Sequence, residues 1–149
     1  MKTIHDHVFI EKPLDEVFAF FNTPKNLAKI TPNFMNFKLL TPEPIIMKEG
    51  AVFDYDISIL GFPVRWQSLI SNYNPPYSFT DIQLKGPHDY WHHQHIFEEK
   101  DKGVLIKDIV HFRMPFGFAG NVAYHLIAKH IDTALFKHRK QVVQDLLKA

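Results

Sequence analysis

Residues 90–113 read YWHHQHIFEEKDKGVLIKDIVHFR, and this stretch decides the fold. Side chains two apart on a strand share a face. Trp91, His93, His95 and Phe97 therefore point one way, while Tyr90, His92, Gln94, Ile96 and Glu98 take the more solvent-like side. In the second half, Ile106, Asp108, Val110 and Phe112 oppose Lys107, His111 and Arg113. Between the halves, Lys100-Asp101-Lys102-Gly103 reads as a hairpin loop. The pair is predicted to be antiparallel, with its aromatic and aliphatic sets turned towards the interior.

The same alternation continues towards the N-terminus. Phe53, Tyr55, Ile57 and Ile59 alternate with Asp54, Asp56 and Ser58. Gly61-Phe62-Pro63 breaks the chain, and residues 64–73 form the next strand, with Val64, Trp66, Ser68 and Ile70 on one face. Asn74-Pro75-Pro76 is a turn, residues 77–85 a strand and Gly86-Pro87 another turn. A short strand is expected at 36–40 and an opening one at 4–10. Pro13, followed by Asp15 and Glu16, starts a short helix, and Thr23, as a cap, starts a second that stops at Thr31-Pro32. Strands joined by tight turns without intervening helices imply an antiparallel meander.

Residues 119–147 contain no breaker. Ala119, Val122, Ala123, Leu126, Ile127, Ile131, Ala134, Leu135, Val142 and Leu146 recur at helical spacing. Such a helix spans roughly 40 Å, enough to cross a sheet, yet is only about 10 Å wide. Six or seven strands spaced about 4.8 Å apart are much wider. A single helix therefore cannot fill the trough of the curled sheet. The expected class is α+β: about seven curved antiparallel strands, two short helices after the first, and a long C-terminal helix across the concave face. Residues 1–149 are expected to form one domain, since a chain of this size hides roughly 70% of its unfolded surface.

Composition narrows the function. Fourteen Phe, five Tyr and two Trp make a thick core or a lined cavity. Seventeen basic residues balance sixteen acidic ones, for a net charge of +1, without the clustered excess that nucleic acid demands. Ten His add positive charge near pH 6. The absence of Cys removes disulfides and thiolate nucleophiles. No stretch approaches membrane-spanning length and no apolar leader opens the chain, so a cytoplasmic location is the default. There is no Gly-x-Ser-x-Gly elbow, phosphate loop or dinucleotide fingerprint, and no cofactor is expected.

Several short motifs, taken in order, resemble the polyketide cyclase/dehydrase-like branch of the START/Bet v 1 superfamily (the SRPBCC group). They are Phe62-Pro63-Val64-Arg65-Trp66, Pro75-Pro76 with Phe79, Asp81 and Gln83, Gly86-Pro87, and Trp91-x-His93-x-His95-x-Phe97. Asp108, Phe112, Pro115, Gly117 and the helix at 13–21 continue the likeness over essentially the whole chain. Phe112 stands where Tyr is expected, and His138 precedes Arg139 where an aromatic is more usual. The resemblance implies a helix-grip fold with a deep cavity for apolar ligands such as lipids, polyketides, quinones or sterols. It also implies that Phe79, Asp81 and Gln83 face that cavity, whereas periodicity alone would turn Ile82 and Leu84 inward.

Asp108 is a lone carboxylate on an apolar face, and such a charge is costly unless paired. His93 or His95 on the neighbouring strand is the obvious partner. Four roles remain open to this group: register and satisfaction of polar atoms, recognition of a ligand's polar end, acid–base catalysis, and metal binding by His93, His95 and Asp108. The wider expected lining is Phe53, Tyr55, Ile57, Trp66 and Ile70, with Trp91, Phe97, Val110 and Phe112 on the hairpin. Phe116 from the Gly117-containing loop and Ile127 and Ile131 from the helix complete it. The leading expectation is a binder of a hydrophobic small molecule, monomeric or weakly dimeric. The alternatives are a cyclase or dehydratase using His93, His95 and Asp108, and a protein-interaction module of the chaperone-activator kind.

Overall fold

A computed structural model describes residues 1–146, the side chains of 128 and 146 excepted. Its seven strands are β1 (Lys2–Ile10), β2 (Lys38–Leu39), β3 (Val52–Ile59), β4 (Phe62–Asn74), β5 (Ser78–Lys85), β6 (Tyr90–Lys100) and β7 (Gly103–Arg113). They form one antiparallel sheet in the order β1-β7-β6-β5-β4-β3-β2. The first strand thus closes onto the last, and the rest is the expected meander.

The turns are tighter than the composition suggested. Gly61-Phe62-Pro63 does not interrupt the sheet, because the reversal is made by Leu60 and Gly61, both at positive φ, and β4 starts at Phe62. Lys100 pairs directly with Gly103, leaving a two-residue turn in which Asp101 has φ 49°. At Gly103 an added Cβ would stand 2.3 Å from the Ile10 carbonyl oxygen, so only glycine lets β1 approach this close. Register shifts at Gln67/Ser68 and Ile70/Asn72 bend the long β4, the local device that curves the sheet.

Between β1 and β2 lie α1 (Leu14–Phe21), a 3₁₀ turn (Pro24–Asn26), α2 (Leu27–Ile30) and a second 3₁₀ turn (Asn33–Met35). Thr23 does not cap the second helix; its hydroxyl donates to the Ala19 carbonyl oxygen at 3.0 Å. α1 drives Val17 and Phe18 into the sheet, where Phe18 meets Phe97 edge-on at 5.3 Å.

The C-terminal helix is not one uniform rod. α3 (Gly117–Ala123) passes through a π-helical turn (Tyr124–Ala128) into α4 (Lys129–Leu146), and Leu147 lies outside the described residues. A π turn inserts a residue and shifts the helical phase. Tyr124 thereby packs on Phe112, while Val122, Leu126 and Ile127 of the expected apolar stripe lie exposed. In α4 the buried positions are Phe136, Arg139 and Val143, one residue away from the Leu135 and Val142 of that stripe.

Two apolar clusters result. One gathers Val8, Val17, Phe18, Phe97, Val104 and Ile106 beneath α1; the other gathers Trp66, Trp91, Val110, Phe112, Tyr124 and Phe136. Phe97 is 2% exposed within the first, whereas Phe116 is 87% exposed. Phe97→Ala is accordingly expected to lower stability by about 3–5 kcal/mol in urea denaturation, and Phe116→Ala by less than about 0.5 kcal/mol.

Candidate functional site

Along β6 and β7 the residues between the two clusters are polar: His93 and His95 on one strand, Asp108 on the other. His95 faces Asp108 across β6–β7, and His93 faces Asp81 across β5–β6. The hydrogen bonds run on the diagonals, which long side chains can reach. His93 Nε2 donates to Asp108 Oδ1 at 2.8 Å, and His95 Nε2 donates to Asp81 Oδ2 at 2.5 Å. The two imidazoles stack with centroids 3.8 Å apart, and His95 stacks in turn on Phe79 at 4.3 Å. From the opposite side Arg139 of α4 brings Nη1 to 3.0 Å from Asp108 Oδ1.

The charges follow from this geometry. Burial alone would raise Asp108, but the Arg139 guanidinium and the His93 hydrogen bond outweigh it and hold the carboxyl below the usual range. Burial likewise opposes ionisation of Asp81, and the His95 hydrogen bond and nearby His and Arg charges reverse that. His95 is pushed down to about 4, first by desolvation and then by His93. Asp81 and Asp108 thus meet a single guanidinium, with the two imidazoles between them. Asp6, opposite Asp108 on β1, is raised by burial and by the Asp108 charge, extending the polar belt to the sheet's edge.

Above the cluster lies a cavity of about 170 Å³ between sheet, short helices and α4. Its walls include Phe53, Tyr55, Ile57, Trp66, Ile70 and Trp91 from the sheet, Met35 and Leu27 from the short helices, and Ile131, Leu135 and Phe136 from α4. Phe79, Asp81, His93, His95 and Arg139 form its polar end. Asp81 thus faces inward, as the family likeness implied and simple periodicity did not. Gln83 also turns inward but is consumed locally, since its amide nitrogen donates to the His88 carbonyl oxygen and its Oε1 accepts from the His88 N–H.

Other expected lining residues lie elsewhere. Phe97, Val110 and Phe112 are buried beside the cavity as core, and Asp108 sits behind the imidazoles rather than on the wall. Phe116 and Ile127 do not reach it: Phe116, in the loop before α3, is 87% exposed, and Ile127, within the π turn, is 44% exposed. Conversely, sequence reasoning missed Arg139, Asp132, His88 and Met35. The signal for the first two was the i, i+4, i+7, i+11 spacing of Asp132, Phe136, Arg139 and Val143. Asp132 Oδ2 is buried without a partner, and burial pushes its carboxyl up to about 7.

No protein family's sequence profile matches this chain, and no curated protein sequence does. Solved structures do match. A protein from Chromobacterium violaceum superposes with a TM-score of 0.77 at 12% identity, over 100% of this chain and 99% of that one. Ginseng major latex-like protein from Panax ginseng gives 0.67 at 12% identity, over 99% and 98%. A nucleoside-diphosphate sugar epimerase from Corynebacterium glutamicum gives 0.68 at 23% identity, over 97% of this chain but 29% of its own. The chain has the helix-grip fold of Bet v 1-like proteins.

Two outcomes test the electrostatics. Asp108→Asn and Arg139→Met are each expected to destabilise by about 3–5 kcal/mol in urea, because each leaves a buried partner unpaired. The double variant is expected to lose less than the sum. Asp132 retains its proton in the folded state where the unfolded chain has lost it, so its contribution is complete below pH ~4 and lost as pH rises through about 7. Stability of Asp132→Asn relative to wild type is therefore expected to rise over that window by on the order of 2–4 kcal/mol, measured by denaturation at a series of pH values.

Proposed function

We propose that the protein binds a compact hydrophobic molecule carrying one polar end. The observation behind this is an aromatic and aliphatic cavity that ends in buried ionisable groups, on an architecture suited to enclosing a guest. An apolar cavity of roughly 150 Å³ suffices for one aromatic ring. A volume of about 170 Å³ thus favours a ring-sized guest, and a long acyl chain or sterol requires the walls to part. Three buried atoms of wall residues lack an internal partner, Trp66 Nε1, His95 Nδ1 and Asp132 Oδ2, and they are the polar contacts left for the guest or a water.

The acid–base reading has one specific support: Asp108 orients the His93 imidazole as a carboxylate orients a general base. The interaction-module reading gains less, since a filled interior would have favoured it. Soluble expression in the cytoplasm and a monomer or weak dimer are the matching expectations. Among the described residues no helix is long and apolar enough to cross a membrane.

An apolar fluorescent probe is expected to bind one per chain, raise Tm and quench the fluorescence of Trp66 and Trp91. Ile70→Trp, which fills the cavity, is expected to weaken that binding at least about tenfold while Phe116→Ser leaves it unchanged. Native mass spectrometry of freshly purified protein checks for a resident guest. Failure of apolar probes either to bind or to raise Tm would sink the proposal.

A further inference from the structure

The polar end of the cavity presents more than a recognition surface. Asp81, His93 and His95 each offer a donor atom, and these atoms lie within 4.8 Å of one another. We propose that they form a site for one divalent transition-metal ion, with Asp108 and Arg139 as its supporting shell.

Three observations carry the assignment. First, the donors are two imidazoles and one carboxylate, a set that suits Zn²⁺ and Fe²⁺ and leaves coordination positions open. Secondly, each imidazole turns one nitrogen towards Asp81, and the rings, stacked 3.8 Å apart, need to splay to place one ion in both ring planes. His93 spends Nε2 on Asp108, which leaves Nδ1 turned towards Asp81 Oδ2 at 4.0 Å. His95 directs Nε2 at Asp81 and Nδ1 towards Asp108 at 3.5 Å. Asp108 thereby backs His93, the carboxylate–histidine arrangement that fixes a metal-binding tautomer, whereas His95 Nδ1 has no hydrogen-bond partner.

Thirdly, the three donors are already gathered within 4.8 Å of one another. Donors around a tetrahedral ion at 2.0–2.2 Å lie about 3.3 Å apart. The carboxylate oxygen of Asp81 is 2.5 Å from His95 and 4.0 Å from His93. A shift of that oxygen towards His93 by at least about 1 Å would bring both distances to about 3.3 Å. Arg139 explains why Asp108 is not itself a ligand: its Oδ1 already accepts from both His93 and Arg139.

The expected third donor thus changes from Asp108 to Asp81. Because Asp81, His93 and His95 all line the cavity, the open positions face the guest space. The metal proposal stands independently of whether a guest binds, and its test uses metal alone.

Chelator-treated full-length protein is titrated with Zn²⁺ by calorimetry and with Co²⁺ by visible absorption. One ion per chain is expected, with a Co²⁺ spectrum of low coordination number, a rise in Tm, and ¹⁵N shifts at the His93 and His95 imidazoles. Asp81→Asn and His95→Gln are each expected to weaken binding at least about 100-fold. The double variant His92→Gln/His111→Gln removes a pair of rings 6.3 Å apart elsewhere on β6 and β7 and is expected to bind as wild type. The proposal is overturned if the wild type takes up no stoichiometric ion. It is equally overturned if folded Asp81→Asn binds undiminished, or if binding disappears with His92 and His111. Should a variant fail to fold by circular dichroism, the imidazole shifts in the wild type decide between the two sets of rings.

Discussion

The ion pair between Arg139 and Asp108 is the constraint on which the interior depends. Asp108 sits on β7, one strand in from the sheet's edge and 3% exposed, with Asp6 directly opposite on one neighbour and Asp81 one strand beyond the other. Three carboxylates in a row across an apolar face repel one another, and removing each from water is costly. His93 supplies a hydrogen bond, but only the guanidinium from the helix supplies a permanent opposite charge. The helix is thus tied to the sheet at a defined point and register. Apolar contacts alone would leave it freer to slide.

That tie also bears on why a space persists. An apolar stripe from α4 could not pack onto the polar belt without burying unpaired charge. A long arginine reaches down instead, its guanidinium lying 5.4 Å from the Phe21 ring and 5.9 Å from the Phe136 ring. The gap it spans is flanked by the two apolar clusters rather than filled by either. A wide trough under a slim helix made room geometrically necessary, and the polar belt accounts for where the room lies.

The sheet was largely legible in the sequence because period-two patterning is a local property. Ile106, Asp108, Val110 and Phe112 turn inward as their alternation with Lys107, His111 and Arg113 requires. β5 was not legible that way, since Asp81 and Gln83 break the rule that polar residues face water, and the family likeness was needed to place them. The helix was the weaker reading. Its apolar stripe was extended in one phase from Ala119 onwards, whereas the π turn at Tyr124–Ala128 divides it into two phases. Ile127 was misplaced for that reason, and Phe116 because it lies outside the helix, in the loop before α3, where it stands 87% exposed. Arg139 escaped because a cation on a helix is ordinarily solvated, and only its i, i+3 spacing from Phe136 and i, i−4 spacing from Val143 betray it.

The same shifted stripe carries Asp132, seven residues before Arg139 and so roughly 10 Å away along the axis. Carboxyls in opposite states therefore meet at one cavity: Asp81 on its wall and Asp108 behind it held ionised by partners, Asp132 held protonated below about pH 7 by burial without one. A neutral carboxyl donates a hydrogen bond where an ionised one can only accept. A guest lying along α4 would meet a donor at one end and a charged belt at the other, with aromatic walls between. Such a cavity discriminates by the placement of oxygen atoms as much as by apolar bulk. That places its selectivity in groups contributed jointly by helix and sheet, and makes the register between them, fixed by Arg139 and Asp108, part of the specificity itself.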